Sequence, residues 1–256
     1  MADLRPGVTK WTDSDLEAYH ITVSSQTKKK FFGVPHLPPP AHPALVDYMD
    51  LPDRRTMSSS TRKLLWYCDL ANSPGPGQFR TAGVNFFAKL LETYGYNDGR
   101  RIVFTHHPLP LPICGVTSVV EMDISVMDDN EILMVVLDLT RLEDIWYYLE
   151  PTVIAGAIAA YVANNKVRVN MNLPPLDAIT IPAITLEGLT PTFYKIPVTA
   201  ELSEAVARGT YPTSKTRVLR YFPKYSVHPR SLAFRETEDR AEFLACLEAF
   251  KQFLRK

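Results

Sequence analysis

The run from Val116 to Leu139, VTSVVEMDISVMDDNEILMVVLDL, constrains the fold more than any other stretch of this chain. Its second half carries apolar side chains at every position from Ile132 to Leu137. Alternation therefore cannot leave one face of that strand in water, and both faces need a cover of helices. The turn residues Asp128, Asp129 and Asn130 join it to the strand-like run 116–127, so the two segments are neighbours in one sheet. Each strand also carries one acid where its pattern is otherwise apolar or neutral: Asp123 in the first and Asp138 in the second.

Helices to cover such a sheet lie on either side. In 78–95, Phe79, Gly83, Phe86, Phe87, Leu90, Leu91 and Tyr94 recur at three- and four-residue spacing, with Gly95 as the stop. In 151–168, Pro151 suits a first helical position, and Val153, Ile154, Ala157, Ile158, Tyr161 and Val162 form a stripe. RRIVFT (100–105) reads as a strand, and HHPLPLPICG (106–115) as a proline-rich link. Residues 178–188 and 191–198 are two further strands, the first near an edge because of Pro182. Thr199 caps a short helix that Gly209 ends, and a last helix spans about 237–254. The order helix, three strands, helix, strand predicts an α/β (or α+β) fold with one central mixed sheet flanked by helices. Residues 1–78 read as an irregular extension on a core of 79–256, together one globular unit. Within the extension, helices are expected from Asp13 or Ser14 and over 60–71, with an extended connector at 31–43.

Composition narrows the partners. The 28 basic and 28 acidic residues give zero formal charge, which argues against a large basic footprint for duplex DNA. No apolar run reaches the length of a membrane span, and the N-terminus is too polar for a secretory signal. The three cysteines are scattered without metal-ligand spacing, as expected in a reducing compartment, cytoplasm or nucleus.

The element order, with one acid in the second strand and another late in the third, resembles the PD-(D/E)XK nuclease superfamily, the restriction-endonuclease-like fold. More narrowly the chain resembles a large set of fungal proteins of mushroom-forming species, placed in that superfamily by pattern. MDISVMD (122–128), ILMVVLDLTRLED (132–144), IAGAIAAYVANN (154–165), LPPLDAITIPAITLEGLTPTFYKIPVTAELSEAV (173–206) and GTYP (209–212) carry the likeness. It implies an αβββαβ core and a Mg²⁺ ion held by Asp123 and Asp138. Glu121, two residues before Asp123 and so on the same side of a regular strand, is either a third ligand or a residue of a solvated rim. Such an ion activates water and stabilises the charge that builds on a phosphate.

The chain departs from that pattern in three places. Where the superfamily has its water-orienting lysine stands Thr140, followed by Arg141, which cannot act as a base. Thr152 and Gly156 stand where the following helix in the fungal set carries Gln and Glu. The reading is a degenerate nuclease-fold protein impaired in cleavage, in which Thr140→Lys would restore some activity if a phosphate can enter. The alternatives are an active Mg²⁺-dependent phosphodiesterase on nucleic acid, and a repurposed small-molecule enzyme or binding protein of a biosynthetic pathway. His106, His107, Lys195 and Arg141 are candidate substrate contacts, each with a plain structural alternative. Lys195 in particular reads either as a snorkelling strand residue or as a site cation. Tyr221, Phe222 and Tyr225 interleave with basic residues in 214–230, a pattern that could stack bases or cover a packed layer.

Overall fold

The computed structural model describes residues 11–47, 54–72, 81–138, 149–224 and 236–254. Thr140, Arg141 and the end of the basic–aromatic stretch, from Tyr225 on, lie outside these residues.

Seven strands form one mixed sheet: β1 (Ile21–Ser25), β2 (Arg101–Ile113), β3 (Val116–Asp128), β4 (Glu131–Asp138), β5 (Ala178–Glu187), β6 (Thr190–Thr199) and β7 (Thr216–Tyr221). Their spatial order is β1-β7-β6-β5-β4-β3-β2. The pairs β4–β5 and β1–β7 are parallel and all others antiparallel. The helices are α1 (Asp13–Ala18), α2 (Lys28–Phe32), α3 (Ser59–Asn72), α4 (Ala82–Thr93), α5 (Leu149–Asn170), α6 (Ala200–Arg208) and α7 (Thr237–Phe250). α2, α3, α4 and α7 build a core on one face of the sheet, and α1, α5 and α6 build a second core on the other. Every residue of β4 is buried, as its unbroken apolar run requires. Among the described residues no helix is long and apolar enough to cross a membrane.

Local chemistry accounts for most boundaries. Asp129 and Asn130 both have positive φ (48° and 68°), which makes the β3–β4 connection a two-residue turn whose twist matches the strands. Arg100 pairs with Asp129 and Asp128 across this turn, so its acids have a local counter-charge. Thr199 accepts the Leu202 N–H at 3.1 Å as the cap of α6, and Gly209 (φ 68°) ends that helix. Glu201, in the first turn of α6, accepts the N–H groups of Thr213 (2.7 Å) and Ser214 (3.0 Å). The Thr213 hydroxyl's bond first, and these backbone bonds after it, hold its carboxyl down to about 2.

Two sequence readings need correction, and part of a third takes the packed-layer form. Residues 106–113 are not a link but the second half of β2, which pairs with β3 as far as Ile113. Pro108, Pro110 and Pro112 are tolerated because β2 is the last strand of the sheet; a proline that turns its missing N–H outward loses no ladder bond. The N-terminal region is not wholly irregular, since β1 closes the other edge beside β7 and α2 buries Phe31 and Phe32. Part of the basic–aromatic stretch is the strand β7, with Arg217 bonded to Ser24 and Tyr221 packed on Phe31 and Phe32.

Gly156 shows how closely α5 lies on the sheet. A Cβ there would come within 2.4 Å of Met122 Sδ and 2.7 Å of its Cε. The place where the resemblance expects a larger polar side chain is thus filled by Met122. Gly156→Ala should lower stability by about 1–3 kcal/mol, the usual cost of overpacking. In a double-mutant cycle Met122→Val should recover a good part of that loss, and strict additivity in urea melts would refute this contact.

Candidate carboxylate site

Asp123 sits where the β2–β3 ribbon turns over. Residues two apart on a regular strand share a face. Yet Val120 and Met122 belong to the core under α5, while Ile124 and Val126 belong to the core under α4. β2 changes face at the same level: Val103 packs on the α4 side, Leu109 and Leu111 on the α5 side. His106, opposite Asp123 by register, has a left-handed φ of 55° at this point.

β4 leaves β3 at the same place. Its ladder to β3 reaches Val136, opposite Ile124, and beyond that Leu137 and Asp138 pair with Thr185 and Leu186 of β5. The Asp138 N–H donates to Asp123 Oδ2 at 2.7 Å. A side-chain oxygen therefore supplies a bond that the diverging backbone of β3 does not. Both acids are about 1% exposed. On the other side of Asp138 is the first turn of α4, where a Cβ on Gly83 would come within 2.8 Å of Asp138 Oδ2. The helix's N-terminal partial charge favours a carboxylate there, and α4 has no acid of its own in that turn.

The other candidates lie elsewhere. Glu121 is half-exposed and faces His106 Nδ1 at 3.9 Å. The face change at Asp123 defeats the expectation that the two acids share a side. His107 bonds Ser125 Oγ at 3.1 Å and packs edge-on against Phe104, and burial pushes its imidazole below the ordinary value. Lys195 donates to the Phe31 carbonyl and lies 3.7 Å from the centre of the Phe253 ring. Burial lowers its ammonium, and its contacts make it a packing residue of the α7 side. A second lysine, Lys166, is exposed on the C-terminal half of α5.

The donor set does not suit Mg²⁺. That ion requires six oxygens in octahedral array at about 2.0–2.1 Å and keeps several waters. Here one Asp123 oxygen already accepts a backbone N–H, and both carboxylates are shut from solvent. Among the described residues no three His, Cys, Asp or Glu side chains come together as a metal site.

The sequence reading missed a pair of structural amides. Asn164, buried on α5, accepts the Ile132 N–H at 2.6 Å and donates to the Ile132 carbonyl at 2.9 Å. Asn165 does the same for Leu176, at 2.7 Å and 3.2 Å. Arg168 adds bonds to the Pro174 carbonyl (2.9 Å) and Glu131 (3.2 Å). The signal was present: after Ile154, Ile158 and Tyr161, the buried stripe of the helix continues at helical spacing onto an asparagine. No protein-family model and no curated protein matches the chain.

Proposed function

We propose that this chain is a restriction-endonuclease-like protein that does not cleave phosphodiesters, and that its carboxylate pair serves the fold. The order α4–β2–β3–β4–α5–β5 supports the first part. It is an antiparallel meander, then a parallel crossover through α5, with a helix on each face. Two acids on adjacent strands, one in the second and one late in the third, are the arrangement the superfamily pattern implies.

One observation carries the second part: Asp123 Oδ2 takes the Asp138 N–H while both carboxylates are about 1% exposed. Hydrolysis would need a phosphate and a water to reach groups that are enclosed by α4 and the sheet. The segments that resemble the fungal set, around Asn164–Asn165 and Glu201, supply fold-specifying bonds.

The test is cleavage of single- and double-stranded DNA with Mg²⁺ or Mn²⁺. Wild type should give no divalent-dependent product, and neither ion should raise Tm, since a ligand bound only by the folded state would do so. Thr140→Lys should stay inactive too, because a water-orienting cation gives nothing to buried carboxylates. Robust cleavage by wild type, abolished in Asp123→Ala, would establish the active-nuclease alternative. The small-molecule alternative gains support from a separate cavity of about 410 Å³ lined by Glu150, Thr185, Tyr194 and Arg220.

A further inference from the structure

The two edge strands of the sheet are not alike. β1 is only five residues long, and Arg217 (2.8 Å) and Arg220 (2.9 Å) donate to its Ser24 and Ser25. A short edge lined by cations is poorly suited to pairing with another chain. β2 has thirteen residues, and Pro108, Pro110 and Pro112 blunt its second half. Its first half has no such device. Ile102, Val103, Phe104 and Thr105 form a window without proline or charge. Among the described residues, no backbone group of these four bonds outside the β2–β3 ladder, so half of their N–H and C=O groups face outward.

The same window exposes apolar surface. Val103 packs on the α4 side, so Ile102 and Phe104 share the α5 side, where they are 53% and 43% exposed. Their neighbours on β3, Met127 and Ser125, are partly and fully buried, so the apolar face lies open only at β2. An added strand would satisfy the outward backbone groups and cover both side chains at once. The window itself supplies a matching strand. In an antiparallel pair with a two-fold axis at Val103, Ile102 of each copy stands opposite Phe104 of the other. A β-branched residue facing an aromatic one is a favourable cross-strand pair. At the ends Arg101 meets Thr105, and Arg100 meets His106 beside Glu121, so no like charges face each other.

We propose that this window is the interface of a homodimer, in which β2 pairs antiparallel with β2 of a second copy and one sheet runs through both. The two-fold axis makes the contact isologous, and the protected β1 edge leaves no place for a third copy. The ladder adds about four to six backbone hydrogen bonds, a small interface, so the dimer should dissociate at about 1–100 µM.

Sedimentation equilibrium of the full chain, from well below to well above that concentration range, should show monomer and dimer alone. Ile102→Lys and Phe104→Glu, both at exposed positions, should each weaken self-association about tenfold or more. Mixed in equal amounts, the two variants should associate more tightly than either does alone. The introduced lysine of one then faces the introduced glutamate of the other, and the second Ile–Phe pair is intact. Thr22→Lys, on the β1 edge, should leave the dimer unchanged. The wild type gives a readout that needs no variant to fold: a mixture of isotope-labelled and unlabelled chains should show NOEs from Ile102 of one copy to Phe104 of the other. A monomer throughout the range, an assembly larger than two, or a dimer without those NOEs would overturn the inference. So would a dimer that Ile102→Lys or Phe104→Glu leaves intact, one that Thr22→Lys weakens as much, or a mixture no tighter than its components.

Discussion

Asn164→Ala should lower the unfolding free energy by about 4 kcal/mol. The side chain is about 1% exposed and satisfies both the N–H and the carbonyl of Ile132. Ile132 stands opposite Met127 of β3 but lies before the start of the ladder to β5. The β4–β5 ladder begins three residues later at Val135, and the β3–β4 register shifts between Val126 and Met127. Truncation therefore leaves two backbone groups without a partner in a place closed to water, each costing about 1–3 kcal/mol. Urea denaturation should register this as a lower midpoint with an unchanged slope. Asn165→Ala removes a similar pair of bonds from a partly solvated residue, Leu176, and should cost about 1–2 kcal/mol because water can replace them. Asn164→Asp should be at least as damaging as alanine, since a carboxylate oxygen would then face the Ile132 carbonyl. A loss under about 1 kcal/mol for Asn164→Ala would mean that Ile132 finds another partner.

The second large effect separates a structural from a catalytic Asp123. Asp123→Leu should cost about 2–3 kcal/mol, because the Asp138 N–H loses its acceptor in a buried position. Asp123→Asn keeps a carbonyl oxygen in the same place and should stay within about 1 kcal/mol of wild type. Hydrogen exchange at the Asp138 amide gives the local readout: fast in the leucine variant, slow in the asparagine variant. In a metal-dependent site the order of importance would differ, since asparagine is a poor substitute for a charged ligand to a hard cation. If Asp123→Asn is as destabilised as Asp123→Leu, the negative charge itself matters, and the reading of the pair as a backbone clamp fails.

Much of the architecture was legible from periodicity. The all-apolar run Ile132–Leu137 required a central strand, and the stripes before and after it required a helix on each face. Those demands follow from burial, which leaves a pattern of period two or three to four in the residues themselves. Thr199 and Gly209 marked α6 because cap chemistry is equally local.

What depended on tertiary structure was everything set by how distant segments meet. Pro108, Pro110 and Pro112 look like a link until the chain places β2 at the edge of the sheet, where their missing donors do no harm. β1 is too short to announce itself and exists because β7 offers it a partner. Asp123 and Asp138 were visible as two anomalous acids. Their role turned on the ribbon reversing its faces between Met122 and Ile124, on β4 parting from β3 at Val136, and on Gly83 letting α4 close over Asp138. A carboxylate in an open cleft and one that caps a diverging strand carry the same sequence signature. The difference lies in solvent access, which the packing of α4 against the sheet decides.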